Sequence, residues 1–318
     1  MRAGSFKDTD MVEPKWTLLV HGGAGSMVRG KLSPEQDAGA RAGLGNALDA
    51  GSAVLGNSGS AMDAVSAAVM TLEDDAHFNA GHGAVFTYDG IIELDASIME
   101  GATRRAGAVT GVRHTRNPVL LARAVMEHSP HVMLSREGAD AFSREQGLEQ
   151  VDPAYFATPE RWRQLEELKA RKLDYFDIDM KYGTVGAVAV DSQGNVAAAT
   201  STGGLTGKRW GRIGDSPVIG AGNYADNRAA AVSATGAGEF FIRIGVAHEI
   251  CARIRMLDED AVAAADHVIA ELGELGGTGG VIVAAPDGSA TFSFNTPGMY
   301  RGKATGSGEK FVAIYGDE

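Results

Sequence analysis

Three threonines stand beside glycines at the ends of apolar runs: Gly183-Thr184, Thr202-Gly203 and Thr235-Gly236. Threonine is β-branched and common in strands, so each one alone reads as structural. Their shared setting, with glycines that tolerate strained backbone, points to hydroxyl chemistry. Thr184 is the most pointed of the three, because a charged segment ends at Gly183 and the buried run 185–190 begins directly after it. A threonine hydroxyl is a poor nucleophile unless a base lies within hydrogen-bond reach. If the chain were cut between Gly183 and Thr184, the new α-amine, with a reference pKa of about 8, would be that base. A second constellation is Gly211-Arg212-Ile213-Gly214-Asp215. A planar guanidinium suits bidentate carboxylate binding and an aspartate suits an ammonium, so one motif can recognise a zwitterionic amino-acid end. The plain alternative is an Arg–Asp surface pair in a glycine-rich loop.

Other motifs fail. No Gly-x-Ser-x-Gly elbow is present, and His248-Glu249 lacks the second histidine of a zinc-protease helix. Gly203-Gly204-Leu205-Thr206-Gly207-Lys208-Arg209 has neither the spacing of a phosphate loop nor a Ser or Thr after its lysine. Gly220-Ala221-Gly222-Asn223-Tyr224-Ala225 fits the loose dinucleotide fingerprint, but no clear βαβ unit surrounds it.

The elements that must position these residues follow from patterning. Residues 16–20 read as a buried strand ending in a glycine turn, followed by a helical region. Residues 61–72 carry apolar side chains at helical spacing, with Ser60 and Asp63 forming a capping-box-like start. Residues 84–88 and 91–96 flank Asp89-Gly90, a hairpin signal, and a strand is expected at 106–112. Asn117-Pro118 opens a helix to about residue 128, a short strand covers 132–134, and a polar helix covers about 138–146. Residues 149–183 change texture, with a charged helix at 161–169 and no periodicity at 174–179, and are expected to form an exposed linker. Two central strands, 185–190 and 196–200, turn at residues 192–195. A strand at 229–234 precedes helices at about 239–256 and 260–272, and a hairpin around Asp287-Gly288 is expected to close the chain. Tight turns between strands and helices in blocks favour an α+β layered sandwich with antiparallel sheets over a doubly wound fold.

Composition narrows the partners. The chain has 318 residues, 44% hydrophobic and 22% charged, which describes a globular protein. A net charge of −12, spread along the chain, argues against a nucleic-acid or anionic-membrane surface. The 43 glycines are about twice the usual share of roughly 7%. Cys251 stands alone, so neither a disulfide framework nor a soft-metal cluster is expected, and a reducing compartment fits. Residues 1–15 hold no apolar h-region and no apolar run reaches the roughly 18 residues of a membrane helix, so the expectation is a cytoplasmic protein.

The chain resembles the plant-type L-asparaginases, or isoaspartyl peptidases, of the N-terminal-nucleophile hydrolases. The likeness runs from Trp16 to about Tyr300. It is carried by His21-Gly22-Gly23-Ala24-Gly25, Leu72-Glu73-Asp74-Asp75, Phe78-Asn79-Ala80-Gly81, Glu93-Leu94-Asp95-Ala96-Ser97-Ile98-Met99 and Gly183-Thr184-Val185-Gly186-Ala187-Val188-Ala189. Thr200-Ser201-Thr202-Gly203-Gly204, Gly211-Arg212-Ile213-Gly214-Asp215-Ser216-Pro217 and Thr235-Gly236-Ala237-Gly238-Glu239 continue it. The resemblance implies a four-layer αββα sandwich and a precursor that cuts itself before Thr184 into residues 1–183 and 184–318. It implies a homodimer of processed αβ units acting on β-aspartyl dipeptides and L-asparagine. Glycosylasparaginase shares that fold, although Gly183-Thr184-Val185-Gly186 looks like the asparaginase form. By the same likeness Thr184 is the nucleophile, Thr202 polarises its hydroxyl, and Thr235 with the Gly236 N–H forms the oxyanion hole. Asn79 stands beside the nucleophile, Arg212 and Asp215 grip the substrate's α-carboxylate and α-ammonium, and Gly236 and Gly238 line the substrate. No cofactor serves catalysis. The carbonyls of Leu72, Glu73, Asp75, Phe78, Ala80 and His82 resemble a loop around a structural sodium. Trp210 is expected to shape the pocket, and Tyr182 to slow self-cleavage. The opposing reading is a relative that never matures and serves as a binding protein.

Overall fold

The computed structural model describes residues 16–171 and 183–318. Residues 1–15, the unpatterned stretch 174–179 and Tyr182 lie outside the described residues.

The first half of the chain runs β1 (Thr17–Gly25), α1 (Pro34–Gly56), α2 (Ala61–Glu73), β2 (Leu94–Glu100), β3 (Ala106–Val112), α3 (Pro118–His128), β4 (Met133–Ser135), α4 (Arg136–Glu145) and α5 (Pro159–Arg171). After Thr184 come β5 (Val185–Val190), β6 (Val196–Thr202), β7 (Asn223–Ala225), β8 (Ala231–Gly236), α6 (Gly238–Ile244), α7 (Val246–Leu257), α8 (Ala261–Glu274), β9 (Gly279–Ala284), β10 (Ala290–Phe294), β11 (Gly298–Thr305) and β12 (Lys310–Tyr315). Local signals set many boundaries. Ser60 caps α2 by accepting the Asp63 N–H, and Pro118 occupies the start of α3, where a missing N–H costs nothing.

Eight strands form one sheet in the order β12-β11-β1-β5-β6-β2-β3-β4, and four form a second in the order β10-β9-β8-β7. Neighbours are antiparallel except β3 and β4. The central strands of the large sheet are apolar on both faces, with the two-residue alternation that puts successive side chains on opposite sides. Leu18, Val20, Ala187, Ala189, Ala197 and Ala199 join α1, α2 and α3 in one core. Leu19, Val188, Val190, Val196 and Ala198 face the other way and pack with Ala231, Ile282 and Ala284 of the small sheet. The small sheet turns Val232, Ala234, Val281 and Val283 toward α7 and α8. The molecule is thus a mixed α/β fold in which β6 and β8, carrying Thr202 and Thr235, and β5, which begins directly after Thr184, are buried.

Several expectations need correction. The Asp89-Gly90 turn forms, with the Gly90 N–H donating to Thr87 O at 3.0 Å, but its arms share one bridge, Phe86 to Ile92. The first arm instead bonds to another segment, through Gly207 N to Phe86 O (2.7 Å) and Tyr88 N to Lys208 O (3.0 Å). The expected helix 239–256 breaks into α6 and α7 at Gly245, whose φ of 71° is left-handed and ends the first helix. The Asp287-Gly288 hairpin does not close the chain, because β11 and β12 follow and β11 lies against β1. The described part of the expected linker, 149–171, is not an exposed strap: Phe156, Arg161, Leu165 and Leu168 are buried. Among the described residues, no helix is long and apolar enough to cross a membrane.

Candidate active site

Antiparallel pairing of β5 with β6 sets the centre of the site. Val185 lies opposite Ser201, so the next positions outward, Thr184 and Thr202, meet at the strand ends. Thr184 Oγ1 donates to Thr202 Oγ1 at 3.0 Å, and the Gly204 N–H donates to the same Thr202 oxygen at 3.0 Å. Both side chains are buried, yet Thr184 keeps 9% of its surface open. On the facing sheet, Thr235 lies two residues beyond Ser233 and shares its face. The Thr235 hydroxyl is buried without a hydrogen-bond partner among the described residues. A buried polar group without a partner costs about 1–3 kcal/mol and calls for an explanation, which a ligand oxygen would supply. Gly236 follows in a tight approach to β9, where a Cβ would stand 2.7 Å from Gly279 Cα, so no side chain fits.

Asn79 holds the loops around this point. Its N–H donates to Gly183 O at 3.0 Å, and its carbonyl accepts from the Gly203 N–H at 3.0 Å. Its side chain donates to Gly204 O at 2.7 Å and accepts from the Val85 N–H at 2.9 Å. The bond preceding Thr184 is therefore fixed by a residue far away in sequence.

Arg212, Asp215 and Gly238 also converge. A Cβ at Gly238 would lie 2.7 Å from Asp215 Oδ1 and 3.0 Å from Arg212 Nη2, so glycine leaves the space between the two charges open. Burial pushes the Asp215 carboxyl up to about 7, against the opposing pull of the Arg212 charge. Its Oδ2 has no hydrogen-bond partner among the described residues. The fork of Arg212 is engaged by Glu239, through Nε to Oε1 (2.9 Å) and Nη2 to Oε2 (3.0 Å). Nothing in the local pattern Thr235-Gly236-Ala237-Gly238-Glu239 marks Glu239 as the partner of Arg212.

His21 was missed in the same way. Its ring is fully buried, with Nδ1 3.1 Å from Thr184 O and Nε2 2.8 Å from Ser233 Oγ. The only signal was a lone histidine at the head of a glycine run. Lys208 of the phosphate-loop lookalike is buried, donating to Glu93 O at 2.9 Å and standing 3.7 Å from Asp95, so it faces no open anion site. Trp210 is 91% exposed and takes a left-handed φ of 56°. Of the expected sodium loop, the carbonyls of Leu72, Glu73 and Asp75 accept backbone N–H groups of Asp75, His82 and Phe78. The Phe78 carbonyl lies beside Gly83, where a Cβ would stand 2.8 Å from it. No group of three or more His, Cys, Asp or Glu that could hold a metal occurs among the described residues.

Comparison with known proteins gives a coherent set of relatives. The family described as Asparaginase matches residues 14–314, which extends past the expected end of the likeness near Tyr300 and takes in β11. A Salmonella typhimurium protein named isoaspartyl peptidase is 47% identical over 295 residues, covering 90% of this chain and 94% of the relative. The Escherichia coli isoaspartyl peptidase is 48% identical over 297 residues, covering 90% and 92%. An Arabidopsis thaliana protein named probable isoaspartyl peptidase/L-asparaginase 2 is 40% identical over 326 residues, covering 94% and 99%.

Proposed function

This chain belongs to the asparaginase family, and from that premise we propose that it hydrolyses the β-amide of isoaspartyl dipeptides and of L-asparagine, releasing L-aspartate. The observation that carries the reading is the buried Thr184–Thr202 hydrogen bond, with a buried Thr235 hydroxyl on the facing sheet that has no partner among the described residues.

The chain first cleaves itself between Gly183 and Thr184. The Asn79 N–H, 3.0 Å from Gly183 O, sits where negative charge would gather on that carbonyl. The cut gives Thr184 a free α-amine, which takes the hydroxyl proton as Oγ1 attacks the β-carbonyl. Thr202 holds the hydroxyl, and the Thr235 hydroxyl and Gly236 N–H stabilise the oxyanion, where one donor typically supplies about 3–4 kcal/mol. The leaving amine receives the proton, and water then releases aspartate from the acyl-threonine. Arg212 takes the α-carboxylate with the N–H groups Glu239 leaves over, Asp215 takes the α-ammonium, and the bare Gly236 and Gly238 give the substrate room.

Helices, large sheet, small sheet and helices stack as four layers, as the three cores suggest. The processed αβ units pair as a homodimer in the cytoplasm. Catalysis needs no cofactor. The loop carbonyls of Leu72, Glu73, Asp75, Phe78, Ala80 and His82 suit a structural sodium, a hard ion that prefers oxygen ligands, and it would brace the loop carrying Asn79.

Incubation with a β-aspartyl dipeptide, its α-linked isomer and asparagine, measuring free aspartate, tests the substrate class. Release from the β-linked compounds is expected, and equal turnover of α- and β-linked peptides overturns the reading. Mass measurement under denaturing conditions should find residues 1–183 and 184–318 as separate pieces, and Thr184→Ala whole. An active enzyme that remains one chain overturns the maturation step.

A further inference from the structure

Once the bond to Gly183 is broken, Thr184 keeps one covalent tie, to Val185. The paired part of β5 begins at Val185, opposite Ser201, so Thr184 lies one position outside the ladder. A chain end in that position frays unless other groups tie it down. Thr202 takes its hydroxyl and His21 takes its carbonyl.

We propose that His21 is a positioning residue for the nucleophile: by donating from Nδ1 to the Thr184 carbonyl it fixes the ψ torsion of that residue, and with it the direction in which hydroxyl and freed amine are presented. The inference rests on the role of Thr184 given above.

The donor assignment follows from the partners. A carbonyl can only accept, so the Nδ1 atom 3.1 Å from Thr184 O carries the hydrogen. Burial pushes the ring's pKa down to about 3, which keeps it neutral and leaves Nε2 a bare acceptor. Ser233 Oγ, 2.8 Å from Nε2, must then donate to it. Ser233 Oγ in turn lies 2.7 Å from Thr200 Oγ1 and 3.3 Å from Ala199 O, and Thr200 Oγ1 also reaches Gly222 O at 3.1 Å. Asn223 reaches Thr200 Oγ1 at 3.4 Å and anchors itself on Ser97 O at 3.2 Å. Hydrogen bonds thus link Ser233 of the small sheet through the imidazole to Thr184, the residue before β5. Such a chain locks one tautomer and one ring orientation. Gly186, the residue opposite His21 across the ladder, makes room for it: a Cβ there would run into both Ser233 Oγ and His21 Nε2.

Two substitutions split the contacts of the ring. The Asn side chain places its amide N–H about where Nδ1 lies and cannot reach Ser233, whereas the Gln side chain places its amide near Nε2 and cannot serve Thr184. With a β-aspartyl dipeptide, and with turnover normalised to the amount of cut chain, His21→Gln is expected to lose kcat on the order of 100-fold with little change in KM, the cost of a nucleophile misplaced by about 1 Å. His21→Asn should stay within about tenfold of wild type. Equal losses in the two variants, an unimpaired His21→Gln, or a change confined to KM would overturn the inference. Should neither variant fold, the ¹⁵N spectrum of the His21 ring in the wild-type protein decides. The Nδ1–H tautomer between pH 5 and 8 is expected, and the Nε2–H tautomer refutes the proposal. Wild-type protein that releases no aspartate would instead sink the proposed reaction and leave the tautomer result standing.

Discussion

The Thr235 hydroxyl is buried without a partner among the described residues, an arrangement that costs stability in the free protein and is useful only when an oxygen arrives to receive it. Thr235→Val keeps the shape and removes the unsatisfied group. It should therefore raise the thermal midpoint by up to a few degrees while lowering kcat about 100- to 1000-fold, an opposition that calorimetry and steady-state kinetics would reveal together. Asp215 carries a second opposition. Its folded pKa of about 7 lies above the ordinary 3.8, so the folded state holds this proton more tightly than the unfolded chain does. Its contribution is greatest below pH 4 and is lost as pH rises toward 7. Asp215→Asn should remove that contribution, so the difference between wild-type and variant denaturation midpoints should change between pH 4 and 7. Binding of an ammonium needs the ionised form. The acid limb of kcat/KM should therefore be steeper than that of kcat, because the free enzyme must lose a proton from both Asp215 and the Thr184 amine, whereas bound substrate already holds Asp215 ionised. Parallel limbs would argue against Asp215 as the ammonium partner.

Helix α5 is legible in the sequence as a charged helix, but its docking is not, because charged residues dominate it and its apolar positions are few. Leu165 and Leu168 nonetheless reach the core, and Arg161 is buried with its Nε donating to Gly83 O at 2.7 Å. Its polar face explains the reading, and its contact with the loop after Asn79 explains the burial. Leu165→Ala should cost about 2–5 kcal/mol in denaturant unfolding, the range for a truncated core leucine. A loss below about 0.5 kcal/mol, as at a surface position, would mean that the helix does not dock. Strand β11 was missed for a related reason. Its Arg301, Gly302 and Lys303 interrupt any apolar run, and its identity comes from lying between β1 and β12. By contrast β5 and β6 were legible, because strands covered on both faces must be apolar on both.

Across the whole molecule, the proposed cut falls between residues that remain interlocked. β1 lies between β11 and β5, and β2 pairs with β6, so strands from before and after Thr184 alternate within one sheet. Separating the pieces would strip several ladders and split the core shared by Leu18 of β1 and Ala187 of β5. The processed protein should thus elute in native size exclusion as the uncut Thr184→Ala protein does, and come apart only under denaturing conditions. Elution of separate pieces would contradict this topology.

The sequence by itself determined the chemistry on offer: which threonines stand beside glycines, the Arg212–Asp215 spacing, and the apolar runs that become central strands. These are local properties, written in residue type and period. Only the tertiary structure decided which groups meet. The Thr184–Thr202 contact depends on strand register, the partnerless Thr235 on how the two sheets face each other, and the links from His21 to Thr184 and Ser233 on contacts 163 and 212 residues apart. Glu239 on Arg212 and Asn79 on Gly183 belong to the same class. Hydrogen bonds of about 3 Å between distant segments leave no periodic trace in the chain, because their partners are chosen by packing rather than by sequence neighbours.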